Sequence, residues 1–237
     1  MTTLASVRYY DFVGIIEGMA VLPELPIARR LTRLQTAALV AMARLKDAAP
    51  GLWRGFAENP GSLLYMATHY GEVDTLVSLQ KALYQQSLPL SPTAFQNSLP
   101  SSALGYAAIV HRLHQAQTTF SAGFLSLDRM LQWAHLKIVR GRTDHVLCLN
   151  VAERLTRDEK WVAEAELMLF SSGTHPGFAL HSVKDQACGS LPDHAVVEEE
   201  GLGRACALRL DLAGNRAFCR VARDHGGHML VSHWEYL

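Results

Sequence analysis

The residues best placed for chemistry lie in one short turn, Thr118-Thr119-Phe120-Ser121-Ala122-Gly123. A short strand pattern precedes it and an amphipathic helical pattern follows, so Ser121 would lie at a tight strand-to-helix turn, as serine nucleophiles do in acyl hydrolases. That motif has glycine on both sides of the serine, whereas Phe120 and Ala122 flank Ser121. The sequence places no histidine or acid beside it. A serine-dependent acyl hydrolase or acyltransferase that uses Ser121 is therefore one hypothesis.

The cysteines and histidines do not indicate a metal site or a set of disulfides. The four cysteines are far apart and form no Cys-x-x-Cys pair, and three of them lie in apolar, strand-like runs; they are Cys148, Cys188, Cys206 and Cys219. Buried, reduced thiols are the prediction for such a pattern. Only Cys188 is expected to be exposed, and no neighbouring residue would activate it. The run His225-Gly226-Gly227-His228 is predicted to be a solvated turn, because no further metal ligands are identifiable. We expect neither a metal nor a cofactor.

Length and composition favour one compact domain over residues 1–237. Hydrophobic residues make up 49% of the chain and charged residues 19%, which is enough for a sizeable core and for a buried subunit interface. Lys plus Arg and Asp plus Glu both count 22, so no overall charge favours nucleic acid or a membrane surface. No apolar run approaches the about 20 residues that span a bilayer. Residues 1–10 lack the order of a signal peptide, and the predicted location is the cytoplasm.

The spacing of apolar residues predicts an α/β protein with helices packed on a sheet. Strands are predicted at residues 12–22, 63–68, 117–120, 145–151, 204–212, 216–222 and 228–234. Helices are predicted at residues 29–45, 72–84, 100–113 and 124–139, with Pro50-Gly51 closing the first of them. Residues 154–191 are predicted to be mainly loop with one amphipathic piece, and residues 213–215 to be a hairpin turn. The small residues around Gly105 suit a helix that is buried at an interface.

Several short motifs, in order along the chain, carry a resemblance to a known family. They are Ile16-Glu17-Gly18, Pro26-Ile27-Ala28-Arg29-Arg30, His69-Tyr70-Gly71-Glu72-Val73-Asp74, Ser91-Pro92-Thr93-Ala94-Phe95 and the turn from Thr118 to Gly123. In this order they resemble the N-terminal half of the β-ketoacyl synthases, and specifically the short ketosynthase-like proteins of aryl polyene pathways. The resemblance covers roughly residues 12–212. It implies a thiolase-like fold truncated to about its N-terminal half, with layered helices on a mixed sheet and a C-terminal β hairpin.

Two departures from the family pattern concern catalysis. In the family the turn carries a cysteine nucleophile where this chain has Phe120. A benzyl side chain has no lone pair and no acidic proton, so it cannot attack a thioester. The chain also stops where the family's second half, which supplies catalytic histidines, would begin. The resemblance therefore implies that this chain has no catalytic residues of its own.

The resemblance implies the role of a chain length factor, an inactive subunit that pairs with an active β-ketoacyl synthase and reaches the acyl carrier protein through that complex. Such a subunit controls product length sterically, because a well-packed tunnel wall offers no volume for further carbons. The residues that the resemblance places in the tunnel wall are Phe95, Leu99, Ser102 and Tyr106, with Phe120 filling the vestigial pocket. A heterodimer is expected, since half of a two-part fold leaves apolar surface that a partner must cover.

A second alternative is a scaffold that itself binds an acyl carrier protein. Basic residues that could meet an acidic carrier occur at Arg29-Arg30, at Arg33 and at Arg140-Gly141-Arg142. Exposed arginines at helix ends are commonly just solvated. In the chain length factor hypothesis, most of the carrier docking would fall to the active partner.

Overall fold

A computed structural model describes residues 5–16, 31–85, 91–173, 178–186, 195–199, 217–223 and 229–236. The strands in these ranges are β1 (Ala5–Ile16), β2 (Leu63–Thr68), β3 (Ala116–Phe120), β4 (His145–Leu155), β5 (Trp161–Ser172), β6 (Phe178–Gln186), β7 (Ala195–Glu199), β8 (Ala217–Arg223) and β9 (Met229–Tyr236). The helices are α1 (Arg33–Ala48), α2 (Pro50–Ala57), α3 (Val73–Gln85), α4 (Pro92–Asn97), α5 (Ser102–His111) and α6 (Ser126–Val139).

All nine strands belong to one mixed sheet in the order β3-β2-β4-β5-β1-β6-β9-β8-β7. Strand β2 lies parallel to both β3 and β4, and β7 lies parallel to β8. The other neighbours pair antiparallel, including β8 with β9 at the C-terminal end. Strand β3 ends the sheet on one side, so one of its backbone edges has no strand neighbour within the described ranges.

Alternate side chains of the central strands enter two separate cores, one on each face of the sheet. On β2, Leu64 and Met66 point to the face that α1, α2 and α5 cover, which we call the α1 face. Tyr65 and Ala67 of the same strand point to the opposite face, which α6 covers and which we call the α6 face. Helices α1, α2 and α5 therefore pack on one side of the sheet, and α6 packs on the other.

Helix α1 has the start that its sequence favours. Thr32 is its N-cap and accepts a hydrogen bond from the Gln35 backbone, while the Gln35 side chain accepts one from the Thr32 backbone. The buried face of α1 includes Leu34, Ala38 and Leu45, and it packs on the sheet and on α5. Small residues of α5, among them Ala103 and Ala107, allow that close packing.

Most predicted elements are confirmed, with shifted ends. The helices predicted at 29–45, 72–84, 100–113 and 124–139 correspond to α1, α3, α5 and α6. The strands predicted at 63–68, 117–120, 145–151, 216–222 and 228–234 correspond to β2, β3, β4, β8 and β9. The first strand starts earlier than predicted, at Ala5. Residues 17–22, 204–212 and 213–215 lie outside the described residues.

The prediction that residues 154–191 are mainly loop was wrong, because β5 and β6 lie there. Glu164 and Glu166 made this stretch resemble a solvated loop, but both are buried in the middle of β5. Arg154 forms an ion pair with Glu164, with nitrogen–oxygen distances of 2.9 and 3.0 Å. Tyr10 and Asn150 donate hydrogen bonds to Glu166 at 2.8 and 3.2 Å. Partners on neighbouring strands thus allow carboxylates inside a sheet, where a single stretch of sequence would predict a solvated loop.

Helix α1 ends at Ala48, just before Pro50, as predicted. The sequence did not indicate α2, in which Pro50 occupies the first turn, where a missing backbone N–H costs nothing. The side chains of Trp53 and Phe56 fix this short helix to the core on the α1 face.

One buried ion pair connects the C-terminal strands to α6. Asp128 of α6 and Arg220 of β8 form a side-chain ion pair, and both side chains are almost completely buried. Trp234 of β9 lies in the same core and contacts Phe170 of β5, with ring centroids 6.2 Å apart. The C-terminal antiparallel strands are thus part of the core on the α6 face rather than an appendage.

Candidate functional site

The turn that was singled out in the sequence is a strand–turn–helix unit. Strand β3 ends at Phe120, and α6 begins at Ser126. Gly123 has a left-handed backbone with φ of 57°, which glycine adopts without strain. The Ser126 hydroxyl accepts a hydrogen bond from the Ala122 backbone at 2.8 Å and donates one to the Gly123 carbonyl at 2.7 Å. The turn between β3 and α6 is therefore fixed by a glycine conformation and by two hydrogen bonds of one side chain.

The side chain at the end of β3 is apolar and packed. The Phe120 ring meets the Tyr65 ring edge-on at a centroid distance of 5.4 Å and packs against the core on the α6 face. Phe120 is half-buried. The hydrocarbon ring of Phe120 cannot itself act as a nucleophile or as an acid or base.

Ser121 is exposed in the same turn. Within the described ranges it forms no hydrogen bond with a histidine or a carboxylate, so no general base is positioned on it. His69 lies nearby in the fold, but its ring stacks on Tyr70 at 3.9 Å and meets Phe124 edge-on at 5.8 Å. A nucleophilic role for Ser121 stays a prediction.

The residues predicted for a tunnel wall occupy two places. Four of them lie on one continuous stretch, α4, the loop after it and α5. Phe95 and Leu99 are exposed to 65% and 46%, while Ser102 and Tyr106 are half-buried. Phe120 packs on the α6 face, whereas α5 packs on α1 on the opposite face. The first four residues thus lie on one stretch of chain, whereas Phe120 packs on the face of the sheet opposite to α5.

A buried carboxyl group that the sequence did not single out lies beneath this stretch. Glu72, in the turn between β2 and α3, has no exposed surface. Its Oε1 accepts hydrogen bonds from Thr32 Oγ1 at 2.8 Å and from Ser102 Oγ at 3.2 Å. Its Oε2 has no hydrogen-bond partner in the described part of the chain. Burial raises the pKa of Glu72 from 4.5 to about 8; the hydrogen bond from Thr32 opposes this, and the charge of Glu153 adds to it.

A second carboxyl group, that of Glu153 on β4, lies close by. The backbone N–H of Asp74 donates a hydrogen bond to Glu153 Oε2 at 3.0 Å, so Glu153 satisfies a free donor at the start of α3. Burial raises the pKa of Glu153, and the Asp74 charge adds to that rise. Asp74 itself forms an ion pair with Arg33 of α1. Arg33, which was one of the predicted carrier-binding residues, is thus engaged within the fold; Arg29 and Arg30 lie outside the described residues.

The sequence missed Glu72 because an acidic residue just before a helix is usually explained by the helix dipole. The sequence feature that could have identified Glu72 is its place in the motif His69-Tyr70-Gly71-Glu72. Gly71 has a left-handed φ of 72°, and a Cβ there would lie 3.4 Å from Pro100 Cα. The turn that carries Glu72 is therefore in close contact with the loop before α5.

Metal ligands are not gathered in the described ranges, where no group of three or more His, Cys, Asp or Glu side chains could hold an ion. Cys148 of β4 is buried, as predicted, and burial raises the pKa of its thiol. Cys219 lies in β8. Cys188, Cys206, His225 and His228 lie outside the described residues.

Exposed apolar side chains are concentrated between residues 70 and 109. Helix α3 buries none of its residues, and the described large apolar side chains of this region that are exposed include Tyr70, Leu76, Leu83, Tyr84, Phe95, Leu99 and Ile109. The edge strand β3 is exposed along its first three residues. Exposed apolar side chains and a strand edge without a described neighbour are both typical of protein–protein interfaces. No described helix is long and apolar enough to cross a membrane.

No family model and no curated protein matches the sequence. Solved structures do match its fold. Against the complex of the ketosynthase ApeO with its chain length factor ApeC from Xenorhabdus doucetiae, the match covers 98% of this chain and 99% of the other, with 20% identity and a TM-score of 0.64. The chain has the ketosynthase fold.

Two further structures share this fold. The ishigamide ketosynthase/chain length factor matches 93% of this chain and 86% of its own, at 15% identity and a TM-score of 0.67. A type II polyketide synthase carrier protein in complex with its ketosynthase, AntDE:AntF, matches 91% and 88%, at 11% identity and a TM-score of 0.68. The predicted thiolase-like, mixed α/β architecture is thereby confirmed, and the match extends along most of the length of each of these chains.

Proposed function

We propose that this chain is a non-catalytic chain length factor subunit that pairs with an active β-ketoacyl-carrier-protein synthase. The complex acts in polyketide biosynthesis, and the sequence motifs favour aryl polyene formation as the class of pathway. The observation that carries the proposal is that β3 ends in Phe120, which the motif resemblance aligns with the cysteine nucleophile of the family. Gly123 and Ser126 fix the shape of the turn that follows it. A chain that keeps the fold and the turn but lacks the reactive atom fits a shape-setting subunit.

The partner in this proposal is an active ketosynthase chain of the same fold. Support comes from the exposed apolar surface between residues 70 and 109 and from the edge strand β3, both of which a partner would cover. ApeC, by the description of its structure, is the chain length factor of ApeO, and this chain matches a chain of that complex almost end to end. We also propose that residues 1–237 form a single domain, which one continuous sheet supports.

Within the heterodimer, the proposed tunnel wall is formed by Phe95, Leu99, Ser102 and Tyr106. They share one stretch of chain whose outer side is exposed in this subunit, so a partner's tunnel could end against them. Phe120 has a separate role in the proposal: it fills the space at the end of β3 so that no second substrate binds there. Length control is then steric, because each added two-carbon unit requires volume that a packed wall lacks.

The test is product length from the chain co-expressed with an active ketosynthase. Removing the Phe95 ring (Phe95→Ala) should lengthen the main product by one or more two-carbon units, and enlarging Ser102 (Ser102→Leu) should shorten it. Ser102→Ala separates added volume from the lost hydroxyl, since it removes the hydrogen bond without adding bulk. Tyr236→Ala changes a similarly exposed aromatic residue on β9 and should leave the product unchanged. Unchanged products from an intact heterodimer of both test variants would remove these residues from the wall.

A specific observation also favours the alternative of a carrier-binding scaffold. The outer side of α6 and the turn after it carry Trp133, exposed to 45%, with Lys137 over its ring at 5.7 Å and the exposed Arg140 and Arg142 beyond. The acidic residue of α6, Asp128, is buried against Arg220, so it does not offset these charges at the surface. An acidic partner such as a carrier protein would complement this side of the helix.

If the chain binds a carrier directly, the double variant Arg140→Glu/Arg142→Glu should weaken that binding about tenfold or more at low salt, because both charges reverse sign. Arg54→Glu, an exposed arginine on α2, is the matched control and should bind like the wild-type protein. The measurement is carrier binding by the isolated chain. Equal affinity of the double variant and the control would exclude this side of α6 as a carrier site.

A further inference from the structure

Three helices begin around the side chain of Glu72. Thr32 is the N-cap of α1, Ser102 is the first residue of α5, and the Glu72 carbonyl accepts the first intrahelical hydrogen bond of α3, from Leu76 at 2.9 Å. The Glu72 side chain nevertheless does not cap α3. That role falls to Glu153, while the Glu72 carboxyl group turns toward Thr32 and Ser102.

Ser102 connects the Glu72 carboxyl group to the stretch of chain that carries the proposed tunnel wall. Its hydroxyl lies 3.2 Å from Glu72 Oε1, 3.0 Å from the Asn97 carbonyl at the end of α4, and 3.2 Å from the Gln35 amide nitrogen that donates to it. The loop from Asn97 to Ser102 is therefore held to α1 and to the β2–α3 turn by one cluster of polar groups. The same loop carries the exposed Leu99.

The charges around Glu72 disfavour its ionised form. Glu153 faces it from β4 with a second carboxyl group, and Asp74 of α3 adds a third nearby. Arg33 of α1 is a cation among the described residues of this cluster; it forms an ion pair with Asp74, and its charge also lowers the pKa of Glu153. Helix α5 contributes a hydroxyl group, and Oε2 of Glu72 has no described partner. Among the described residues no cation is hydrogen-bonded to Glu72, so its ionised form would be a buried charge whose hydrogen-bond partners at Oε1 are the hydroxyl groups of Thr32 and Ser102.

We propose that Glu72 is a positioning residue which, in its protonated form, holds Ser102 and the start of α5 in place. Loss of the proton puts an uncompensated charge at this junction, so water enters and the loop from Asn97 to Ser102 loosens. The consequence for product length and for partner binding rests on the proposed function. The order of this loop does not, because the hydrogen bonds lie within one chain.

The test is amide hydrogen exchange of the isolated chain between pH 6.5 and 9.5, corrected for the intrinsic pH dependence of exchange and read on peptides covering residues 97–106. The expected result is a loss of protection of about tenfold or more in the wild-type protein across this range. Glu72→Gln keeps an acceptor oxygen for Thr32 and Ser102 and carries no proton to lose. Its protection should change less than about twofold.

Glu153→Gln provides the second variant. It keeps an acceptor for the Asp74 backbone but removes the charge that opposes ionisation of Glu72, so the loss of protection should move to lower pH. Equal loss of protection in the wild-type and Glu72→Gln proteins, or no loss in the wild-type protein, would overturn the proposal. If no ketosynthase binds this chain at any pH, the proposed function is contradicted. The hydrogen-exchange experiment would still test the role of Glu72, because it uses the isolated chain.

Discussion

Replacing Glu72 by glutamine is expected to raise the free energy of unfolding at pH 9 by up to about 5 kcal/mol and to leave it nearly unchanged at pH 4. The pKa of Glu72 is about 8 in the fold against 4.5 for a solvated carboxyl group, because the side chain is buried. Below pH 4.5 the group is neutral in both states and costs nothing. As the pH rises from 4.5 to about 8 the unfolded chain ionises first, so the wild-type fold loses stability relative to the variant.

Urea unfolding followed by tryptophan fluorescence, at a series of pH values from 4 to 9, measures this difference. Glutamine has nearly the shape of glutamate and retains the oxygen that accepts from Thr32 and Ser102. Glu58→Gln, at a carboxyl group exposed to 75%, is the control and should show no gain that grows with pH. A stability difference between Glu72→Gln and the wild-type protein that does not change with pH would contradict a raised pKa of Glu72, and a destabilisation that grows with pH would show that the ionised carboxylate stabilises the fold.

The second large effect is expected at the buried ion pair between α6 and β8. Removing either partner alone, with Asp128→Ala or Arg220→Ala, should lower the free energy of unfolding by about 3–5 kcal/mol, because the other buried charge loses its ion-pair partner. Changing both to apolar residues of similar size, Asp128→Leu with Arg220→Met, should recover most of that loss.

The exposed pair of Arg54 and Glu58 on α2 offers a matched comparison. Its nitrogen–oxygen distance is 3.9 Å, both side chains are exposed to 75%, and Arg54→Ala should cost less than about 0.5 kcal/mol. Denaturant unfolding of the four variants measures all of these differences. If Arg220→Ala is no more costly than Arg54→Ala, the C-terminal strands are not fastened to α6 by this pair.

Elements with a simple apolar pattern could be predicted from the sequence. Strand β2 is a short continuous apolar run and helix α6 has an amphipathic pattern, and the structure has both close to the predicted ends. Strand β5 could not be found in this way. Its glutamates are compatible with a buried strand only because Tyr10, Asn150 and Arg154 supply partners from neighbouring strands, and one stretch of sequence does not contain those neighbours.

The candidate site likewise has a part that could be predicted from a local motif and a part that could not. The shape of the turn around Gly123 is a local property, so the motif predicts it. The cluster around Glu72 joins residues 40 positions apart in one hydrogen bond and 30 apart in another. Such contacts depend on how α1, α3 and α5 meet at the edge of the sheet. The resemblance placed Phe120 and Ser102 in one functional region, but it could not tell that they lie against opposite faces of the sheet.

The most direct measurement of the central claim is the intact mass of each chain after incubation with acyl thioester, for this subunit alone and in complex with an active ketosynthase. A subunit whose β3 ends in a phenylalanine ring should keep its unmodified mass in both samples, while the acyl adduct appears on the partner. If the isolated subunit instead gains a covalent acyl group and lengthens it when supplied with extender units, it is a catalyst in its own right and the proposed function is wrong.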